Sequence, residues 1–165
     1  MIRAITTFGY VGLLRPAPGT WGSAVAVMFG IVLWGVTGFA GLLIATAGCT
    51  AIGFWACAQA LRDRPGEDPG EIVIDEVAGQ WLALLVPAAA FWGQGFQGWL
   101  PWPAWVAAFL LFRLFDIWKP GPVGRADRRC DAAGVMLDDL WAGGLAGLGV
   151  IVLGALWHIP LILRS

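Results

Sequence analysis

Five largely apolar stretches, residues 21–36, 39–61, 73–92, 102–118 and 140–157, dominate this chain. The hydrocarbon core of a bilayer takes roughly 20 apolar residues of helix to cross, within a range of about 17–25. All five stretches fall near that range, the first being short. The composition agrees, with 59% hydrophobic and 13% charged residues, where soluble domains carry about 25% charged. The expectation is an all-α, polytopic membrane bundle of about five spans joined by loops, forming one domain over residues 1–165. Thr37-Gly38 and GQGFQGWLPWP (93–103) carry the turn chemistry between the first two pairs of spans.

The charges sort by side. The 37–38 turn and the 93–101 loop carry none. Arg3, Arg15, Arg62 and Arg64 flank the first two spans at their other ends, and Arg113, Lys119, Arg125, Arg128 and Arg129 surround the end of the fourth. Cytoplasmic loops collect Lys and Arg, so the N-terminus reads as inside and the C-terminus, with Arg164, as outside. Trp99, Trp102 and Trp105 suit an aromatic belt at the opposite interface. No basic stripe points to nucleic acid. Cys49, Cys57 and Cys130 make no CxxC and read as small hydrophobes rather than a disulfide or zinc framework. The N-terminus lacks the pattern of a signal peptide, since Gly9, Gly12, Pro16 and Pro18 interrupt it.

Against this apolar background stand two adjacent carboxylate pairs, Asp75-Glu76 in EIVIDEVAGQ and Asp138-Asp139 in GVMLDDLWAGG, each opening an apolar run. Side-by-side acids at the mouth of a membrane helix are costly, and a hard divalent cation with a preference for oxygen ligands relieves that cost. The two segments echo each other as DExxGQ and DDxxAGG, with small residues a turn after the acids. Small residues let helix backbones approach in lipid, which would bring the two pairs together. Neighbours on a helix point about 100° apart, so only one of Asp75 and Glu76 is expected to face a given ion directly.

Three further segments carry chemistry. In RPAPGTWGS (15–23), Thr20 is expected to cap a helix starting near Trp21, whose N-terminus offers an anion site. In FRLFDIWKPGP (112–122), Arg113 and Asp116 share a helix face, and Pro120 ends the helix just past Lys119, the only lysine. A guanidinium fork and an ammonium beside carboxylates suit a phosphate held with a metal. In DRRCDAAGVMLDDLWAG (127–143), Arg128-Arg129 read as positive-inside charge or as contacts to anionic headgroups. The only histidine, His158, lies at the far end of the last span, which argues against a phosphohistidine. A cysteine-phosphatase loop, a DxDx[TV] nucleophile and a Walker A motif are all missing. Metal-activated water is then the default nucleophile.

With these segments in order from about Gly9 to Gly147, the chain resembles the phosphatidylglycerophosphatase A family. The resemblance implies a multi-pass phosphatase of the bacterial inner membrane, Mg²⁺-dependent, with its active site facing the cytoplasm. It would remove the terminal phosphate of a phospholipid substrate, phosphatidylglycerophosphate, to leave phosphatidylglycerol. It carries a metal-site role to Asp75, Glu76, Asp138 and Asp139, with Glu76 as ligand or base. Asp116 becomes a further ligand or orients Arg113, and Arg113, Lys119 and Thr20 take the phosphate. The chain departs from the family at Asp131-Ala132-Ala133, where a basic, Gly-rich stretch is usual. Two rivals are a CDP-alcohol phosphotransferase and a non-enzymatic ion-binding channel or transporter subunit. For the first, Gly134 and Asp138 fit half of its motif, but its second Asp falls at Ala142 and the upstream DGxxAR is missing. For the second, spans one, two and five are nearly free of the polar residues a pore would need. The sequence leaves the oligomeric state open.

Overall fold

The computed structural model describes residues 1–63, 69–129 and 131–162, with the side chains of 158–162 excepted; Arg64, Cys130 and Arg164 lie outside the described residues, as does the His158 side chain. Among the described residues every regular element is helical: α1 (Ile2–Thr6), α2 (Pro18–Ala60), α3 (Ile74–Gly93), α4 (Trp102–Trp118), α5 (Pro122–Asp127) and α6 (Ala132–Ile162). Pro18–Ala60, Ile74–Gly93 and Ala132–Trp157 are long and apolar enough to cross a membrane.

The first two expected spans are the two halves of α2. Between them Gly38 takes φ 66° and ψ −162°, a backbone state that glycine reaches without steric cost. Its effect can be read from where the two ends of α2 land. A Cβ on Gly22 would stand 2.9 Å from the Val73 Cβ, and one on Gly53 would stand 3.5 Å from Ile74 Cγ1. Both ends of the 43-residue segment therefore return to the start of α3, so the chain reverses at Gly38. Thr37 Oγ1 donates to the Leu33 carbonyl at 2.7 Å just before that reversal.

Two expected boundaries need correction. α6 starts at Ala132, well before residue 140. The cause is Asp131, whose Oδ1 accepts the Gly134 N–H at 2.7 Å and caps the helix. The pair Asp138-Asp139 thus lies inside a helix rather than at its mouth. The cap expected at Thr20 does not form either: α2 starts at Pro18 with no side-chain cap, and Thr20 lies within its first turn.

α3 is the central element. Along one side it runs parallel to the first half of α2, with Trp81 Nε1 donating to the Ala26 carbonyl at 2.8 Å and Leu84 Cδ1 lying 2.6 Å from where a Gly30 Cβ would be. On another side it crosses α6 at glycines. A Cβ on Gly79 would meet the Asp139 carbonyl carbon at 2.8 Å and Phe112 Cε2 at 2.7 Å, and one on Gly143 would meet the Gly79 carbonyl carbon at 2.8 Å. This is the close approach that small residues permit between helices in lipid. Phe112, Leu84, Leu42 and Trp34 fill the core between these helices. The outer surface stays apolar, with Phe29, Val36, Ile44, Leu110, Leu148 and Val152 exposed. In water that surface would be a liability; against lipid tails it is the ordinary outer face.

At the end where α2 reverses, Trp34 Nε1 donates to the Gly98 carbonyl at 2.8 Å, and the exposed Trp99 ring lies across Gly35. The charged groups gather at the other end. There the start of α2, the start of α3, the end of α4 and the first turns of α6 meet.

Candidate active site

Asp75 and Glu76 occupy the first turn of α3, where unpaired backbone N–H groups and the helix dipole favour negative charge. Asp75 Oδ1 accepts the Glu76 N–H at 3.0 Å, which fixes that turn. Across the Gly79–Gly143 crossing, α6 presents Asp139. One carboxylate oxygen each from Asp75, Glu76 and Asp139 lies within 4.8 Å of the others. Asp75 and Asp139 are buried and Glu76 nearly so. The 100° projection between neighbours therefore did not separate Asp75 from Glu76. The glutamate is one methylene longer, and α2, α4 and α6 close in around both residues.

Two of the oxygens have no hydrogen-bond partner, Glu76 Oε2 and Asp139 Oδ1. Buried charge without a partner is expensive. The cluster is made of carboxylate oxygens with no nitrogen or sulfur, the donor set of a hard cation such as Mg²⁺, Ca²⁺ or Mn²⁺. The residues present thus fit a divalent ion.

Two cations stand beside the cluster. Arg113 Nη1 pairs with Asp116, three residues on along α4, on the shared face that the sequence predicts. A Cβ on Gly19 would lie 3.3 Å from that same Nη1 and closer still to Glu76 Oε1. The RPAPGTWGS loop thus reaches the site through Gly19, whose missing side chain leaves room for Glu76. Lys119, the left-handed C-cap of α4, points its ammonium to Asp138 Oδ2 at 3.0 Å and to Asp127. Burial opposes that charge, but the hydrogen bonds that Lys119 donates to Asp127 and Asp138 outweigh it and hold the lysine above its ordinary pKa. Asp138 is accordingly bound by Lys119 and is not one of the three converging carboxylates, although it was expected as a fourth metal ligand. Its other oxygen accepts the Asp139 N–H at 3.0 Å.

Sequence reasoning gave no role to Asp127. It reaches Lys119 because α5 folds back after Pro120 and Gly121, with Gly124 packed close to the Lys119 carbonyl. The signal was available, since a short Pro-started helix returning a lone acid toward the only lysine reads as a clamp. Arg129, considered for headgroup contact, is engaged by Asp131 through Nε at 3.1 Å and Nη2 at 2.9 Å.

The profile of the phosphatidylglycerophosphatase A family matches residues 4–154. A phosphatidylglycerophosphatase A of Haemophilus influenzae is 37% identical over 132 residues, covering 79% of this chain and 75% of that protein. The Escherichia coli K12 phosphatidylglycerophosphatase A is 31% identical over 152 residues, 92% of this chain and 82% of its own length. A Bacteroides thetaiotaomicron protein named a putative phosphatidylinositol-3-phosphatase is 39% identical over 132 residues, 77% of each chain. No solved structure matches.

An all-helical bundle with buried carboxylates and two cations at one end, similar over most of its length to these proteins, is a phosphatase, a phosphoric monoester hydrolase. The chain belongs to the phosphatidylglycerophosphatase A family.

Proposed function

We propose that this chain is a Mg²⁺-dependent lipid phosphatase that hydrolyses phosphatidylglycerophosphate to phosphatidylglycerol and inorganic phosphate. We further propose that it crosses the bacterial inner membrane five times, through the two halves of α2 and through α3, α4 and α6, with the acidic end facing the cytoplasm. The single observation that carries the reading is the convergence of Asp75, Glu76 and Asp139 beside Arg113 at one end of an apolar bundle. The family match supports hydrolysis over CDP-alcohol transfer or ion passage.

In this reading Asp75, Glu76 and Asp139 hold the cation, with Asp138 next to them. A bound Mg²⁺ supplies a more acidic water and offsets charge on the phosphoryl oxygens. Arg113 binds the terminal phosphate through its planar fork, and Asp116 keeps that fork turned toward Glu76. Lys119 adds a second positive charge where negative charge accumulates in the transition state. Gly19 and Thr20 bring the positive end of α2 to the same phosphate. Glu76 takes the proton from the attacking water. The water oxygen bonds to phosphorus as the P–O bond to glycerol breaks, and the departing glycerol oxygen takes a proton from solvent, to which Glu76 returns its own. The acyl chains stay against the exposed apolar faces, so the lipid never leaves the bilayer.

The test is phosphate release from phosphatidylglycerophosphate by the purified chain in detergent micelles, with EDTA and Mg²⁺ add-back, in parallel with Asp75→Asn and Asp139→Asn. Activity lost to EDTA, restored by Mg²⁺ and absent in both variants supports the proposal. EDTA-resistant turnover sinks the cation role, and near wild-type rates in both variants sink the site. Phosphatidylinositol 3-phosphate belongs in the same assay, given the name of the Bacteroides relative; faster turnover of it would reassign the substrate.

A further inference from the structure

Gln80 is fully buried in an otherwise apolar stretch of α3, and neither its amide nitrogen nor its amide oxygen has a hydrogen-bond partner. An amide of this kind costs stability that packing alone does not return, and methionine or leucine would fill the same space without that cost. Its position suggests what offsets it. Gln80 follows Glu76 by four residues, so the two share a helix face. Helix side chains lean toward the N-terminus of their own helix, which inclines Gln80 back over the turn that carries Glu76. Glu76 Oε2 is an acceptor without a donor, and Gln80 Nε2 is a donor without an acceptor. One residue earlier, Gly79 is pressed against the backbone of Asp139, so Gln80 sits at the depth of the carboxylate cluster.

We propose that Gln80 is a positioning residue for the cation site. Gln80 Nε2 and Glu76 Oε2 make no hydrogen bond in the structure; with the ion bound, Gln80 Nε2 would donate to Glu76 Oε2 and fix that carboxylate, and Gln80 Oε1 would accept from water. The inference rests on the cation reading above and adds to it a neutral residue that acts through Glu76 rather than on the substrate phosphate. Partners that orient metal ligands in this way change metal affinity or activity by about 10–100-fold when removed.

The test is Mn²⁺ titration of the purified full chain in detergent, followed by electron paramagnetic resonance, for wild type, Gln80→Met and Gln80→Asn. Gln80→Met keeps the shape and removes both polar atoms. It is expected to weaken Mn²⁺ binding by about tenfold or more while melting no lower than wild type without metal. In turnover, the half-saturating Mg²⁺ concentration rises by a similar factor while KM for the lipid stays the same. Gln80→Asn, one methylene shorter, falls between the two and carries the test if the methionine variant does not fold. Wild-type Mn²⁺ affinity in the variant that folds overturns the inference alone. A wild-type protein that binds no Mn²⁺ overturns the cation reading, and this inference with it.

Discussion

Gly19→Ala separates the function of the site from the stability of the fold. The added Cβ would fall far inside the 3.4–4 Å of ordinary contact with Glu76 Oε1, and 3.3 Å from Arg113 Nη1. What it strikes is the far end of a glutamate side chain, which can swing aside. The backbone does not have to move. Gly19 also lies in the first turn of α2, where alanine is a better helix former than glycine by roughly 0.5–1 kcal/mol. The steric cost and the helix gain nearly cancel, so thermal unfolding in detergent should change little. The carboxylate, however, has to retreat by on the order of 1 Å, and misplacement of that size costs about 10²-fold in rate. The expected result is a drop of about 100-fold in kcat/KM for phosphate release with an unchanged melting temperature. Retained activity at unchanged stability would refute the argument, because it would mean that Glu76 does not have to stand where it does. A collapsed melting temperature would refute it differently, by showing that Gly19 supports the fold.

Gly79→Ala and Gly143→Ala should behave in the opposite way, because the added methyl meets backbone, Asp139 carbonyl carbon at 2.8 Å and Gly79 carbonyl carbon at 2.8 Å; each is expected to lower stability by about 1–3 kcal/mol or more, read as a fall in melting temperature. Asp127→Ala releases one of the two carboxylates that hold Lys119, so KM for the phosphorylated lipid should change, while Asp127→Glu recovers most of the wild-type value. Asp131 gives a pH dependence. The hydrogen bond from Arg129, and then that from the Gly134 N–H, hold its pKa below the ordinary 3.8. Its contribution is therefore present above pH 3.8 and is lost as pH falls through the lower folded value. Asp131→Asn keeps a capping oxygen but loses the Arg129 pair, so its melting temperature should lie below wild type near neutrality and converge with it in acid.

The sequence made the elements plain wherever punctuation was strong. Pro101 before, Pro103 in the first turn and Pro120 after fix α4 at Trp102–Trp118, the range that the apolar run predicts. Gly38 marks the reversal of α2 for the same reason. The start of α6 was obscured because Asp131 looked like a departure from a basic loop, and its part as a cap depends on a side-chain geometry that a string of letters does not display. At the site, residue types were legible and partnerships were not. That Arg113 pairs with Asp116 follows from spacing of three within one helix. That Asp138 goes to Lys119 while Asp139 goes to Asp75 and Glu76 depends on how α6 is rotated against α3 and α4. That rotation is set by which glycines lie at the crossing. Gln80 stood in the DExxGQ echo without a role, because its spacing of four from Glu76 does not reveal that both side chains are left with unpartnered polar atoms.

The same rotation explains why the cluster cannot be neutralised from within. Arg113 is already matched by Asp116, and Lys119 by Asp127 and Asp138. Each cation near the site thus arrives with a carboxylate of its own, and Asp75, Glu76 and Asp139 keep their mutual repulsion. Had Arg113 or Lys119 reached into the triplet, the result would be a buried ion-pair network, closed to substrate and of uncertain worth to stability. Pairing each cation with a carboxylate outside the triplet leaves the triplet's oxygens open to a divalent ion, with the guanidinium and ammonium beside them. The glycines at positions 79 and 143 fix that division, because a helix pair held further apart would no longer bring Asp139 within reach of Asp75 and Glu76.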